Sequence, residues 1–105
     1  LLIKDNHKYF IPQKTFPNLL GLGGGLLSYD FYLPKYNLLI EYQGNYHDGT
    51  ANNQTEEEFI IQKEHDRRKK EYAEQNEYNF LEIWYKDFDN IETILNEYLN
   101  NLIIK

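Results

Sequence analysis

The chain contains no cysteine and no methionine. Without cysteine there are no disulfides, thiolate zinc sites, iron–sulfur clusters or cysteine nucleophiles, which leaves carboxylates and three histidines for any metal. A reducing compartment is compatible with that. Without methionine, Leu1 does not read as a natural translation start, and the chain is expected to be a segment of a longer protein. No apolar run approaches the roughly 20 residues that cross a bilayer, and no charged-then-apolar targeting segment opens the sequence, so no membrane partner is expected. Positive charge is also scarce. Eleven Lys and Arg stand against 17 Asp and Glu, for a net charge of -6 and a pI near 5.0. That balance argues against binding nucleic acid by bulk electrostatics, which needs clustered cations.

What is present is a globular composition. Of 105 residues, 41% are hydrophobic and 16% aromatic, too rich for a disordered chain and sized for one domain. Charge is unevenly placed: Glu56, Glu57 and Glu58 precede Lys63, Arg67, Arg68, Lys69 and Lys70, giving local basic surface within an acidic total.

Residues 1–7 read as the end of a preceding helix and 8–13 as a short strand. Pro17 to Gly25, with four glycines, reads as a loop. It is not a phosphate-binding P-loop, because no Gly-Lys-Ser/Thr closes it and strand signals follow. Leu26 to Leu33 and Leu38 to Gln43 form an antiparallel hairpin about the turn cluster Pro34-Lys35-Tyr36-Asn37. A polar loop over 44–54 leads to Thr55, which with Glu58 forms a capping box, so a helix is predicted from there to about Asn76. Phe80 to Tyr85 is a fourth strand. Asp89 caps a last helix whose Ile91, Ile94, Leu95, Tyr98, Leu99 and Leu102 recur at helical spacing and form core. The expected fold is α/β, with a mixed four-stranded sheet packed by helices.

Side chains alternate along a strand, which places Ser28, Asp30 and Tyr32 on one face and Leu39, Glu41 and Gln43 on a face of the next strand. A turn over 34–37 pairs Leu33 with Leu38, and counting back sets Asp30 opposite Glu41. Two carboxylates roughly 5 Å apart cost stability unless a positive charge sits between them. A divalent cation, Mg²⁺ or Mn²⁺, suits those hard oxygens; a register slipped by one residue would instead turn one acid to solvent. On the long helix Phe59, Asp66 and Ala73 fall on one line, so its inward stripe carries charge. An inward Asp66 calls for a partner. His47, in the loop after Glu41, can serve, with the carboxylate orienting the imidazole; an i,i+4 ion pair with Lys70 is the alternative. His65 and His7 read as surface residues.

The run Ser28-Tyr29-Asp30-Phe31-Tyr32-Leu33-Pro34, then Leu39-Ile40-Glu41-Tyr42-Gln43-Gly44, with His47 and Lys63-Glu64-His65-Asp66-Arg67-Arg68-Lys69, resembles the PD-(D/E)XK nuclease superfamily. Within it the sequence is similar to the very-short-patch-repair-like nucleases of bacteriophages, including the EDxHD homing endonucleases. The resemblance spans about Tyr9 to Ile94. It implies a restriction-endonuclease-like core with its first helix largely missing. It also implies metal ligation by Asp30, Glu41 and the Tyr42 carbonyl, and proton transfer by His47 supported by Asp66. The superfamily lysine falls at Gln43, a departure that strengthens the case for His47. The helical Glu of the EDxHD pattern has no counterpart ahead of Asp30.

The function so implied is divalent-metal-dependent hydrolysis of double-stranded DNA, leaving 5′-phosphate ends, by the catalytic domain of a phage homing endonuclease acting in the cytoplasm of a bacterial host. Double-strand cutting with one site per chain implies two copies acting together. A nicking enzyme of the mismatch-repair type, an RNA-directed nuclease and a catalytically inactive binding module on the same fold are the alternatives. Lys63, Arg67, Lys69 and Lys70 are the expected contacts to the DNA backbone, whereas Arg68 points nearly opposite Asp66 on a uniform helix and is excluded.

Overall fold

A computed structural model describes residues 9–43 and 55–104. Four strands, β1 (Ile11–Leu20), β2 (Leu26–Leu33), β3 (Leu38–Gln43) and β4 (Asn79–Trp84), form one sheet in the order β1-β2-β3-β4. The first two pairings are antiparallel and β3 with β4 is parallel, so the sheet is mixed. Helix α1 (Glu56–Gln75) connects β3 to β4, and α2 (Ile91–Ile104) follows a 3₁₀ segment, Tyr85–Asn90. A parallel pair needs such a crossover because its strands start from the same edge.

Two clusters of buried side chains divide at the sheet. On one face Leu33, Leu38, Ile40 and Ile83 pack with Ile91, Leu95 and Leu99 of α2. On the other, Phe16, Leu19, Tyr29 and Leu39 pack with Ala73 of α1. Strand β3 lies in the middle and is covered on both sides, which is why it reads as a near-continuous apolar run. Each fully buried leucine or isoleucine there contributes roughly 1.5–3 kcal/mol. Helix α2 owes its place to an apolar stripe. Helix α1 does not: of its 20 residues only Ala73 is buried. Its start is fixed locally instead, by Thr55 Oγ1 accepting the Glu58 N–H at 3.0 Å while Glu58 Oε1 accepts the Thr55 N–H at 2.9 Å.

The first strand differs from expectation. It runs from Ile11 to Leu20 rather than over 8–13, so Pro17 to Leu20 belong to a strand and the loop shrinks to the glycine turn. Proline is tolerated because β1 is at the sheet edge, where its missing N–H breaks no ladder. Phe16 and Leu19 anchor this longer strand in the core under α1. The turn closes by Gly21 N–H to Gly25 O at 2.8 Å, and Gly24, at φ +87°, adopts a conformation that L side chains rarely take. The hairpin register is as predicted, with Leu33 paired to Leu38 through Phe31 to Ile40. The readings of residues 1–7 and 44–54 lie outside the described residues.

Candidate active site

Asp30 comes from β2, Glu41 and Tyr42 from β3. Beyond the Phe31–Ile40 pair, side chains replace the main-chain ladder. The Asp30 N–H donates to Glu41 Oε2 at 2.9 Å, and the Tyr42 N–H donates to Asp30 Oδ2 at 2.7 Å. Each acid therefore satisfies an amide on the opposite strand, and the two carboxylates are tied together at the point where the strands part.

The alternation of β2 fails here. Tyr29 and Tyr32, three residues apart, both pack with the cluster under α1, where strict alternation would send them to opposite faces. Across the sheet Pro12 pairs with Phe31 and Lys14 with Tyr29, so Gln13 falls opposite Asp30, and Gln13 has φ +51°. Ser28, Asp30 and Tyr32 thus do not form a simple alternating row. Tyr29 instead shares the α1 side, donating its hydroxyl to the Lys69 carbonyl at 2.6 Å. Burial, with the nearby Glu41 charge, pushes that phenol up.

Lys69 reaches the acids from α1. Its ammonium bonds Glu41 Oε1 and also donates to the Ser28 carbonyl at 3.2 Å. Glu41 is only 5% exposed. Burial raises its pKa; Lys69 opposes that and the Asp30 charge adds to it, leaving the carboxyl above its ordinary value. The expected grouping of Lys69 with surface cations is corrected: its Nζ is spent inside the site.

The acids open into a cavity of about 480 Å³ bordered by Asp30, Glu41, Tyr42, Asp66, Lys69 and also His65. His65, expected at the surface, accepts the Leu22 N–H on Nε2 at 3.0 Å, which places its proton on Nδ1 and ties α1 to the glycine turn. Gly21 must be glycine for this contact, since a Cβ would stand 2.8 Å from His65 Nε2. Arg68 ties the same region, donating to the Leu20 carbonyl at 3.0 Å and to Glu64 at 2.7 Å. It faces β1.

A second cavity, about 300 Å³, lies along α1 at the C-terminal ends of β3 and β4. Asp66 borders both cavities, and Lys63, Arg67 and Lys70 border the second and not the first. Lys70 pairs with Glu82 at 3.2 Å, Arg67 with Glu64 and Glu71, and Lys63 stands over the Phe59 ring at 5.3 Å. Gln43, 2% exposed, lies in this second cavity too, its Nε2 donating to Glu82 Oε2 at 2.7 Å. His47 lies outside the described residues. Sequence reasoning passed over the inward placement of Lys69 and His65; Lys69 lies about one turn from both Asp66 and Ala73 and His65 is next to Asp66, so extending that stripe from Asp66 by i+3 and i−1 would have found them.

Among the described residues no three His, Asp or Glu side chains are grouped to hold a metal. The oxygen groups expected as ligands are the carboxylates of Asp30 and Glu41 and the Tyr42 carbonyl, all from residues that border the first cavity. They are hard oxygens, and Asp30 uses only Oδ2 in the described contacts. That chemistry fits a magnesium-type ion, with Lys69 offsetting one of the two negative charges.

No family model, curated protein or solved structure matches the chain.

Proposed function

We propose that this domain hydrolyses DNA phosphodiester bonds with a divalent cation, on a restriction-endonuclease-like core of the very-short-patch-repair and EDxHD type found in phage homing endonucleases. The observation that carries the reading is the Asp30–Glu41 pair, held by reciprocal amide bonds at a parting of strands, with a half-buried lysine against it and a cavity in front. Paired acids at that point are costly for a purely structural purpose, because burial alone disfavours the charged form of Glu41.

Asp30, Glu41 and the Tyr42 carbonyl would hold Mg²⁺ or Mn²⁺. When bound, the ion supplies a Lewis acid for the scissile phosphate and lowers the pKa of the attacking water. Lys69 favours the ionised form of Glu41 against the effect of burial and supplies the positive charge that the superfamily places at the position of Gln43. Asp66 borders the cavity, and in this reading its carboxylate would orient His47 for proton transfer. Double-stranded DNA is the substrate, with two copies acting together for a double-strand break.

The test is cleavage of supercoiled plasmid by the full-length protein with Mg²⁺ or Mn²⁺. Asp30→Asn should abolish it; cutting that survives would overturn the assignment. A second reading, an inactive binding module, is favoured by the salt bridge already occupying Glu41 Oε1. It predicts no cation-dependent rise in melting temperature, whereas the hydrolase predicts one that Asp30→Asn removes.

A further inference from the structure

Gln43 Oε1 is a buried acceptor with no hydrogen-bond partner among the described residues. Its polarity is fixed, because the amide nitrogen is committed to Glu82 Oε2, so a flip would set two acceptors against each other. A buried carbonyl without a donor is uncommon and calls for a group not yet in place. The surroundings say what kind. The cavity lies at the carboxyl ends of two parallel strands, where α/β sheets take their ligands. Lys63, Arg67 and Lys70 stand at i, i+4 and i+7 along its helical wall, and Trp84, 39% exposed, gives it an aromatic side. Three cations against Asp66 and Glu82 disfavour a metal ion. A ring with an N–H donor and an attached phosphate meets all three demands: stacking, a donor for Oε1, and anionic charge for the lysines.

We infer that this second cavity takes one nucleotide with its base unpaired, its amino group donating to Gln43 Oε1, its ring against Trp84 and its phosphate toward Lys63 and Lys70. The inference rests on the nuclease reading for its place in the reaction: Asp66 borders both cavities, so the nucleotide would neighbour the scissile phosphate. Substrates with an unpaired or extruded base at that step are therefore favoured over perfect duplex.

Trp84 is the only tryptophan in the chain, so its fluorescence reports the cavity directly. Titrating the metal-free protein with deoxyadenosine 5′-monophosphate should quench it saturably, and inorganic phosphate should not. Gln43→Leu should weaken that affinity at least tenfold. Lys70→Ala, at a side chain 62% exposed, should weaken the monophosphate severalfold while leaving deoxyadenosine unchanged. Absence of quenching, equal quenching by phosphate alone, or an unaltered Gln43→Leu titration in a folded variant would overturn the inference. So would a Lys70→Ala variant that loses nothing. Because no metal or cleavage enters this assay, quenching without plasmid cutting fails the hydrolase reading alone, and cutting without quenching fails the nucleotide site alone.

Discussion

The Asp30 amide and the Glu41 carboxylate are hydrogen-bonded across β2 and β3 at 2.9 Å, and Asp30 Oδ2 returns a bond to the next amide, that of Tyr42. Removing the Asp30 side chain therefore does two things. Asp30→Ala leaves the Tyr42 N–H without its acceptor and should destabilise by about 1–3 kcal/mol. Asp30→Asn keeps an acceptor there and should fold near normally while losing Mg²⁺-dependent cleavage. Urea unfolding alongside the plasmid assay separates the two effects.

Lys69→Met leaves a buried carboxylate without its cation. At pH 8 it should cost about 3–5 kcal/mol. Glu41 already has a raised pKa in the folded chain, so the folded state binds its proton more readily than the unfolded state does. Stability from this group is consequently greatest at low pH and declines as pH rises from 4.5 through the folded value. Lys69→Met should widen that decline, and the double variant with Glu41→Gln should remove it. Denaturation midpoints at several pH values provide the check.

Glu64 behaves in the opposite sense. Hydrogen bonds from Arg67 and Arg68 lower its carboxyl to about 2. Its contribution is present above 4.5 and disappears as pH falls through that lowered value. Glu64→Gln should lower stability slightly near neutrality, where the contribution is present, and converge with the unaltered protein as pH falls through that window; the loss is small because the pair is solvent-screened.

Gly21→Ala drives a methyl toward His65 Nε2 and Leu27. The His65 bond to Leu22 should break, at a cost of about 1–3 kcal/mol. Hydrogen exchange of the Leu22 amide should accelerate, while the α2 core stays protected.

Phosphate contacts by the helix should be unequal. Lys63, which pairs with a ring rather than a carboxylate, should carry more of the salt dependence than Arg67, whose charge is shared with Glu64 and Glu71. Lys63→Ala should reduce the slope of log affinity against log salt by about 1, equally on every DNA sequence. Equal slopes for Lys63→Ala and the unaltered protein would remove this helix from the DNA interface.

Much of this protein was settled by local pattern. Thr55 and Glu58 set the start of α1 because a capping box satisfies orphan amides within four residues. The turn after Leu33 set the hairpin register, and with it the meeting of Asp30 and Glu41, because a strand pair has only one pairing once its turn length is known. The stripe of α2 announced its core face for the same reason of period. What depended on the assembled molecule was of another kind. Proline and glycine spoke against a strand over Pro17 to Leu20, and edge position with burial of Leu19 overrode them. Lys69 read as one cation of a surface run, and His65 as a surface residue. Only the docking of a helix with a single buried apolar residue onto the sheet turned one toward Glu41 and the other toward Leu22. Helical period determines which residues share a face; which face is inward, when hydrophobicity does not choose it, is decided by ion pairs and hydrogen bonds between residues some 40 positions apart, such as Lys69 with Ser28 and His65 with Leu22.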